Sequence, residues 1–378
     1  MGRSNRELLR LMENIVDIAL YRIRLMLEQE VDIDPAENVK IGLCDPVRVF
    51  TKNEPTKKTK LDIGRYRLIM SVSLVDQLIH RLLFMDQDDI EIECWQDIPS
   101  KPGIGFSDIE ANLKLYNEVK LRGDGMEADN EAHDWTYPGW AYEFNHERRQ
   151  TLALGPSDAC WRKLVTATYK LISKSVFVFS DGEMWRQHHP GIMKSGLKIT
   201  SSDNSATANF YARLAGSRWS FAQGDDLIAQ AIESFKERFT SMGLRLKVCK
   251  PIVDSFEFCS HVYNSTGISY PVNIAKSVFK LLNSKFDAER FGQFLTEYEF
   301  HPKIRYYLNV CRKLGWIAND LPQSVKLQLN RITNDEEEPP EETTEATAES
   351  SSETSLPNVG SNKEVSQFDD CPTSSDGC

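Results

Sequence analysis

The sequence predicts an α+β fold in which a small antiparallel sheet is flanked by amphipathic helices. Three observations lead there. Short apolar runs lie on either side of the turn Gly224-Asp225-Asp226, which reads as a β-hairpin. A second strand pair is predicted over residues 252–263. Elsewhere, and above all across residues 271–329, apolar side chains recur at helical spacing.

Taken in order, residues 6–29 read as a helix, because Leu8, Leu9, Leu11, Met12, Ile15, Ile18 and Leu20 recur at its period. Residues 45–70 are basic, with a turn at Asn53, Glu54 and Pro55. Residues 71–85 are apolar and periodic enough for a helix. Pro99, Pro102, Gly103 and Gly105 make residues 96–107 a loop. Residues 157–175 return to a helical pattern. In the hairpin, Trp219, Phe221 and Ala222 precede the turn and Leu227, Ile228 and Ala229 follow it. A helix is predicted over 228–242, the strand pair comes next, and several helices fill 271–329. From residue 334 the chain turns to Glu, Ser, Thr and Pro, a composition with too little apolar surface to fold, so 334–378 is predicted to be disordered.

That last segment explains the charge. The 378 residues carry a formal net charge of -11. Residues 335–378 hold thirteen Asp or Glu against one Lys, and the remainder carries a net of +1. A neutral body is compatible with nucleic-acid binding, which depends on a basic patch rather than on the total. Eight cysteines are scattered without any C-x-x-C pair, so buried, reduced thiols are expected; Cys259 and His261 form only a lone C-x-H, short of a zinc site. No run of 18 apolar residues offers a membrane span, and the charged N-terminal residues lack an apolar leader, which together lead to the expectation of a cytosolic compartment.

Four constellations carry chemistry. Asp225 and Asp226 at a hairpin tip can hold two divalent ions, the arrangement that supports phosphoryl transfer. By itself such a tripeptide arises by chance in about one chain in fifteen to twenty. The second is Ser195-Gly196 followed by Thr200 and Asn204, in the pattern S-G-x-x-x-T-x-x-x-N-S. Thr200 and Asn204, four apart, share one helix face, where short polar side chains can sense a ribose hydroxyl. Ser195 and Gly196 read as a flexible entry loop. The third is a basic strip with Lys52, Lys57, Lys58, Lys60, Arg65 and Arg67, suited to a triphosphate or an RNA backbone. The fourth is Asp129 and Asp134, whose spacing suits a strand end turning into a helix, although Asp124 and Asp129 have the same spacing. Taken singly, the basic strip and the acidic pair read more simply as solvated surface charge.

In order along the chain, these four elements resemble motifs F, A, B and C of viral RNA-directed RNA polymerases: residues 52–69, Asp129 to Asp134, 195–205 and Gly224 to Asp226. The run Phe256-Glu257-Phe258-Cys259-Ser260-His261 resembles motif E of the sobemovirus, polerovirus and barnavirus type, and Ile41-Gly42-Leu43-Cys44-Asp45-Pro46 and Asp134-Trp135 point the same way. The resemblance spans roughly residues 40–265.

The resemblance implies a right-hand fold of fingers, palm and thumb. It places fingers with motif F at 1–110, palm with motif A at 111–150, a fingers insertion at 151–185, palm with motifs B to E at 186–262 and a helical thumb at 263–333. It implies a template-directed nucleotidyl transfer using two Mg²⁺ or Mn²⁺ ions held by Asp129, Asp225 and Asp226. Asp134, Ser195, Gly196, Thr200 and Asn204 would surround the ribose; Lys52, Lys58, Lys60, Arg65 and Arg67 would hold the triphosphate; and Lys250, with Lys247 as the alternative, would be the motif D general acid. The implied partners are an RNA template and its nascent copy, ribonucleoside triphosphates, other viral replicase parts and a genome-linked protein primer, within a replication complex in the host cytoplasm. The chain begins about fifty residues before motif F, as the downstream piece of a longer replicase would. Two other readings are open: a reverse transcriptase, against which Asn204 and Asp134 argue, and a non-catalytic RNA-binding scaffold, against which the full set of acidic ligands argues.

Overall fold

The architecture follows from where the chain can bury its apolar runs. The computed structural model describes residues 12–56, 58–106, 108–153 and 159–334. The predicted disorder of the acidic segment, Lys57 and the first residues of the N-terminal helix lie outside them.

The central element is a four-stranded antiparallel sheet in the order β6-β7-β3-β8, made of β6 (Ser220–Gln223), β7 (Asp226–Gln230), β3 (Gly125–Asn130) and β8 (Leu246–Pro251). Its strands are short, and β3, β6 and β7 are largely buried, while β8 at the edge is mostly open to solvent. Over one face lies the helix α9 (Thr200–Ala215), whose Ala208, Ala212 and Ala215 are small enough to bring its backbone close. Over the other, Trp219, Phe221 and Ile228 meet Tyr116, Phe256, Phe258 and Tyr263. The free edge of β6 is covered by the predicted 96–107 loop, where the Ala222 N–H donates to the Pro99 carbonyl and the Lys101 N–H donates to the Ala222 carbonyl.

A second sheet, in the order β2-β1-β4-β5, joins distant segments. The strands β1 (Val47–Thr51) and β2 (Leu68–Ser71) form a hairpin around the basic strip, and β4 (Val176–Val178) adds in parallel to β1, followed by β5 (Met184–Arg186). The helices α1 (Met12–Glu28), α4 (Leu74–Glu93), α7 (Gly139–Leu152) and α8 (Ala159–Ser173) enclose a core of Phe84, Tyr142, Val165 and Tyr169. A third sheet, in the order β11-β10-β9, contains the predicted strand pair as β9 (Phe256–Phe258) and β10 (His261–Tyr263), with β11 (Tyr270–Pro271) at its edge. The C-terminal helices α11 (Ile274–Leu282), α12 (Ala288–Tyr298), α13 (Ile304–Lys313) and α14 (Gln323–Asn334) bury their own cluster around Phe291, Leu295, Leu308 and Cys311. Among the described residues no helix is long and apolar enough to cross a membrane.

Four expectations need correction. The helix predicted over 228–242 is strand as far as Gln230 and helix only over α10 (Phe235–Ser241). Leu227, Ile228 and Ala229 form a continuous apolar run because their strand is buried on both faces, a pattern that a buried helix shares. The helix predicted to end at 85 continues to Glu93, and Asp88 and Glu91 of its last turns pair with arginines of α7. Among the described cysteines only Cys311 is buried; Cys94 and Cys160 are exposed. Finally, Ser195 and Gly196 are not a loose entry loop. The Met70 N–H donates to Ser195 Oγ at 3.1 Å and the Gly196 N–H donates to the Met70 carbonyl at 2.9 Å, which docks the segment against β2. A Cβ on Gly196 would lie 2.7 Å from that carbonyl oxygen, so only glycine fits.

Candidate active site

The acidic site is made where β3 and β7 run side by side. Asp129 and Asp226 are directly opposed residues of that ladder, and Asp225 stands exposed at the hairpin turn beside them. Gly224 makes the turn possible with φ of 64°, in the left-handed region. Its N–H donates to Ser205 Oγ at 2.8 Å, so α9 holds the turn directly. Three carboxylates in so small a space disfavour one another's charge. The Asp226 carboxyl is pushed up to about 7, first by burial and then by Asp225 and Asp129.

One cation answers this charge. Lys247 Nζ lies 2.6 Å from Asp129 Oδ2, and this hydrogen bond raises the lysine pKa. Lys250 sits elsewhere, 3.0 Å from Glu127 Oε2 and 3.8 Å from Glu257 Oε1. A β-bulge explains the difference: Asp129 is opposed by Val248 and Asn130 by Leu246, leaving Lys247 as the extra residue.

Asp134 follows β3 on the short helix α6 (His133–Thr136), after Ala132 turns the chain with φ of 55°. Burial raises its pKa, while Asn204 favours its charged form by donating Nδ2–H to Oδ1 at 3.1 Å. The backbone is pinned too, since the Met193 N–H donates to the Asp134 carbonyl at 2.8 Å. Thr200 is on the same helix as Asn204, but its hydroxyl donates to the Lys194 carbonyl at 2.8 Å. Asp124 lies exposed ahead of β3, at the opposite end of that strand from Asp129.

The basic strip is already partly paired. Glu54, its side chain only 6% exposed, receives Arg67 at 3.0 Å, Lys52 at 3.6 Å and, from α11, Lys276 at 3.0 Å. Burial would raise the Glu54 pKa, but these cations outweigh it and the pKa falls. Arg65 pairs with Glu131, close to Asp129 in sequence. Arg67 also acts electrostatically on Asp134, so the strip and the acidic site share a field. Lys58 and Lys60 are exposed on the one-turn helix α3 (Lys58–Leu61), and among the described residues neither forms an ion pair.

Sequence reasoning passed over the groups that hold α9 in place. Asp203 is fully buried one residue before Asn204, and accepts from Arg149 Nε at 3.0 Å, Arg148 Nη2 at 3.2 Å and the Tyr169 hydroxyl at 2.8 Å. Asp88 receives Arg149 at 3.1 Å and Lys198 at 2.8 Å. The sequence signal was present, as an arginine pair and an aspartate inside otherwise helical segments. Lys194, also fully buried, caps the Ile172 and Gly191 carbonyls and Gln187 Oε1. Its pKa is driven well below the usual lysine value by burial.

Comparison with known proteins follows the same outline. A family model described as viral RNA-directed RNA-polymerase matches residues 2–118 and 117–273. The replicase polyprotein P2AB of Southern bean mosaic virus (isolate Bean/United States/Arkansas) is 36% identical over 325 residues, covering 82% of this chain and 33% of that protein. Protein P1-P2 of Turnip yellows virus (isolate FL-1) is 36% identical over 293 residues, covering 72% and 27%. The P2AB polyprotein of Cocksfoot mottle virus is 33% identical over 319 residues, covering 79% and 33%. The chain thus spans a third or less of the length of these relatives.

Proposed function

The chain belongs to the viral RNA-directed RNA polymerase family, in its sobemovirus-like group, and from that premise we propose that it extends RNA on an RNA template by nucleotidyl transfer. The reading is carried by one observation: Asp129, Asp225 and Asp226 gather on β3 and β7, beside the hydrogen-bonded pair Asp134 and Asn204. In this reading the β6-β7-β3-β8 sheet is the palm, the 47–71 hairpin belongs to the fingers and the helices from Ile274 onward form the thumb of a right hand.

The donor set suits Mg²⁺ or Mn²⁺. It is all hard oxygen, and the burial and carboxylate crowding that lift Asp226 to about 7 are of the kind a divalent cation offsets. Among the described residues no three such side chains converge on one point, and Asp129 is engaged by Lys247. Two ions there would stabilise charge on the attacking and leaving oxygens. The protein supplies the rest. Asp129, Asp225 and Asp226 would hold the ions, Lys247 would give a proton to departing pyrophosphate, and Arg65 and Arg67 would bind phosphate with Lys52, Lys58 and Lys60 nearby. Asp134 accepts from a ribose 2′-hydroxyl and Asn204 donates to it, which favours ribonucleotides and speaks against a reverse transcriptase. Template RNA and nascent RNA are the partners this reading requires; a genome-linked protein primer and other replicase segments are compatible with it, within a cytoplasmic replication complex.

Divalent-dependent primer extension tests it. Asp225→Asn should lower incorporation by about 10³-fold or more with the fold intact, as expected when charge stabilisation in the transition state is lost. Near-normal extension by the folded variant would refute the assignment.

A further inference from the structure

Beside the sugar-facing pair lies a buried imidazole to which the reading above gives no task. His133 opens α6 immediately after β3 and is 4% exposed. Its Nδ1 is 3.3 Å from Nδ2 of Asn130, which is equally buried. Its Nε2 has no hydrogen-bond partner among the described residues, and neither has Oδ1 of Asn204. Burial lowers the pKa of this imidazole, and the neighbouring Asn204 side chain acts on it in the opposite sense as a hydrogen-bonding group.

The polarity of this row is set from one end. The Asp134 carboxylate only accepts, so Asn204 must offer it Nδ2. Oδ1 of Asn204 then faces away and needs a donor. The neutral imidazole supplies one if its proton is on Nε2, and Nδ1 is then the acceptor that the Asn130 amide requires. The two unpartnered atoms would then satisfy each other, while Oδ1 of Asn130 stays without a partner among the described residues.

We propose that His133 is a positioning residue for sugar selection: carrying its proton on Nε2, it donates to Oδ1 of Asn204 and fixes which side of that amide meets Asp134 and the incoming sugar. The proposal rests on the ribose-reading role of Asn204 and Asp134. An amide so held keeps one N–H on Asp134 and leaves the other for a sugar hydroxyl oxygen. Without the imidazole the amide rotates more freely, and the difference between ribose and deoxyribose shrinks.

Single-nucleotide incorporation by the full chain, with matched ribo- and deoxyribonucleoside triphosphates, provides the test. His133→Phe keeps a ring and loses the donor, and should lower the ribose-over-deoxyribose ratio of kcat/KM by about tenfold, the worth of one net hydrogen bond. His133→Gln restores a donor at similar reach and should retain the ratio within about twofold. If Asn204→Ala loses discrimination while His133→Phe keeps it, His133 does not position the amide. Equal slowing of both substrates in His133→Phe, without recovery in His133→Gln, assigns the ring to packing and likewise overturns the proposal. If Asn204→Ala keeps wild-type discrimination, the ribose reading itself fails. The ¹⁵N shifts of the wild-type imidazole give a readout independent of activity and of variant folding: a proton on Nε2 is expected, and a proton on Nδ1 overturns the proposal.

Discussion

Replacing Asp203 by Asn asks whether α9 is held in register by buried charge. The substitution keeps shape and removes a carboxylate that is 0% exposed and accepts from Arg149, Arg148 and the Tyr169 hydroxyl. Burial works against the charge of Arg149, and Asp203, Tyr169, Asp88 and Glu91 together more than offset it. Taking one partner from a buried ion cluster costs about 3–5 kcal/mol, because the other charge stays behind. Here Arg149 retains Asp88 and Arg148 retains Glu91, which places the expectation at the lower end, about 3 kcal/mol. Denaturant titration followed by tryptophan fluorescence would show this as a lower midpoint at unchanged slope. Adding Arg149→Met to Asp203→Asn should recover part of the loss, since the uncompensated guanidinium is then gone. A loss below about 1 kcal/mol for Asp203→Asn, or a double variant as unstable as the sum of the singles, would refute the argument.

Two further outcomes are expected. Lys247→Ala should slow incorporation by about 10²-fold or more, the usual worth of a positioned general acid, while Lys250→Ala, at a half-exposed lysine turned to Glu127 and Glu257 instead of Asp129, should change it less than about fivefold; rapid-quench kinetics showing the reverse order would return the role to Lys250. Gly196→Ala sets a Cβ 2.7 Å from a strand carbonyl and should destabilise the chain by about 1–3 kcal/mol, so an unchanged melting temperature would show that the docking onto β2 is dispensable.

What the sequence revealed were features written locally. The hairpin around Gly224, the turn from β3 into α6 and the helical spacing of Thr200 and Asn204 each depend on a few adjacent residues. What it concealed depended on partners far along the chain. Asp88 and Glu91 look like solvent-facing residues that end a helix until Arg148 and Arg149 meet them. Ser195 and Gly196 look loose until Met70 takes up their hydrogen bonds. That Lys247 and not Lys250 lies against Asp129 depends on a one-residue bulge, which strand periodicity cannot foresee. His133 sat within a recognised pattern, yet only burial shows that its second nitrogen needs a partner.

Glu54 gives the basic strip an unexpected property. Its carboxylate, nearly sealed from solvent, already occupies Arg67 and binds Lys276 across 222 residues of sequence. In the proposed role of the strip, an incoming phosphate would meet no bare guanidinium; it would take part in an exchange, one anion leaving as another arrives. The strength with which the strip grips its substrate is then a difference between two ion pairs rather than the energy of one. Because the displaced carboxylate also holds a C-terminal helix, each exchange alters the tether between that helix and the strip. Added salt weakens both sides of the exchange, so apparent affinity should vary with ionic strength less steeply than the number of cations alone would suggest.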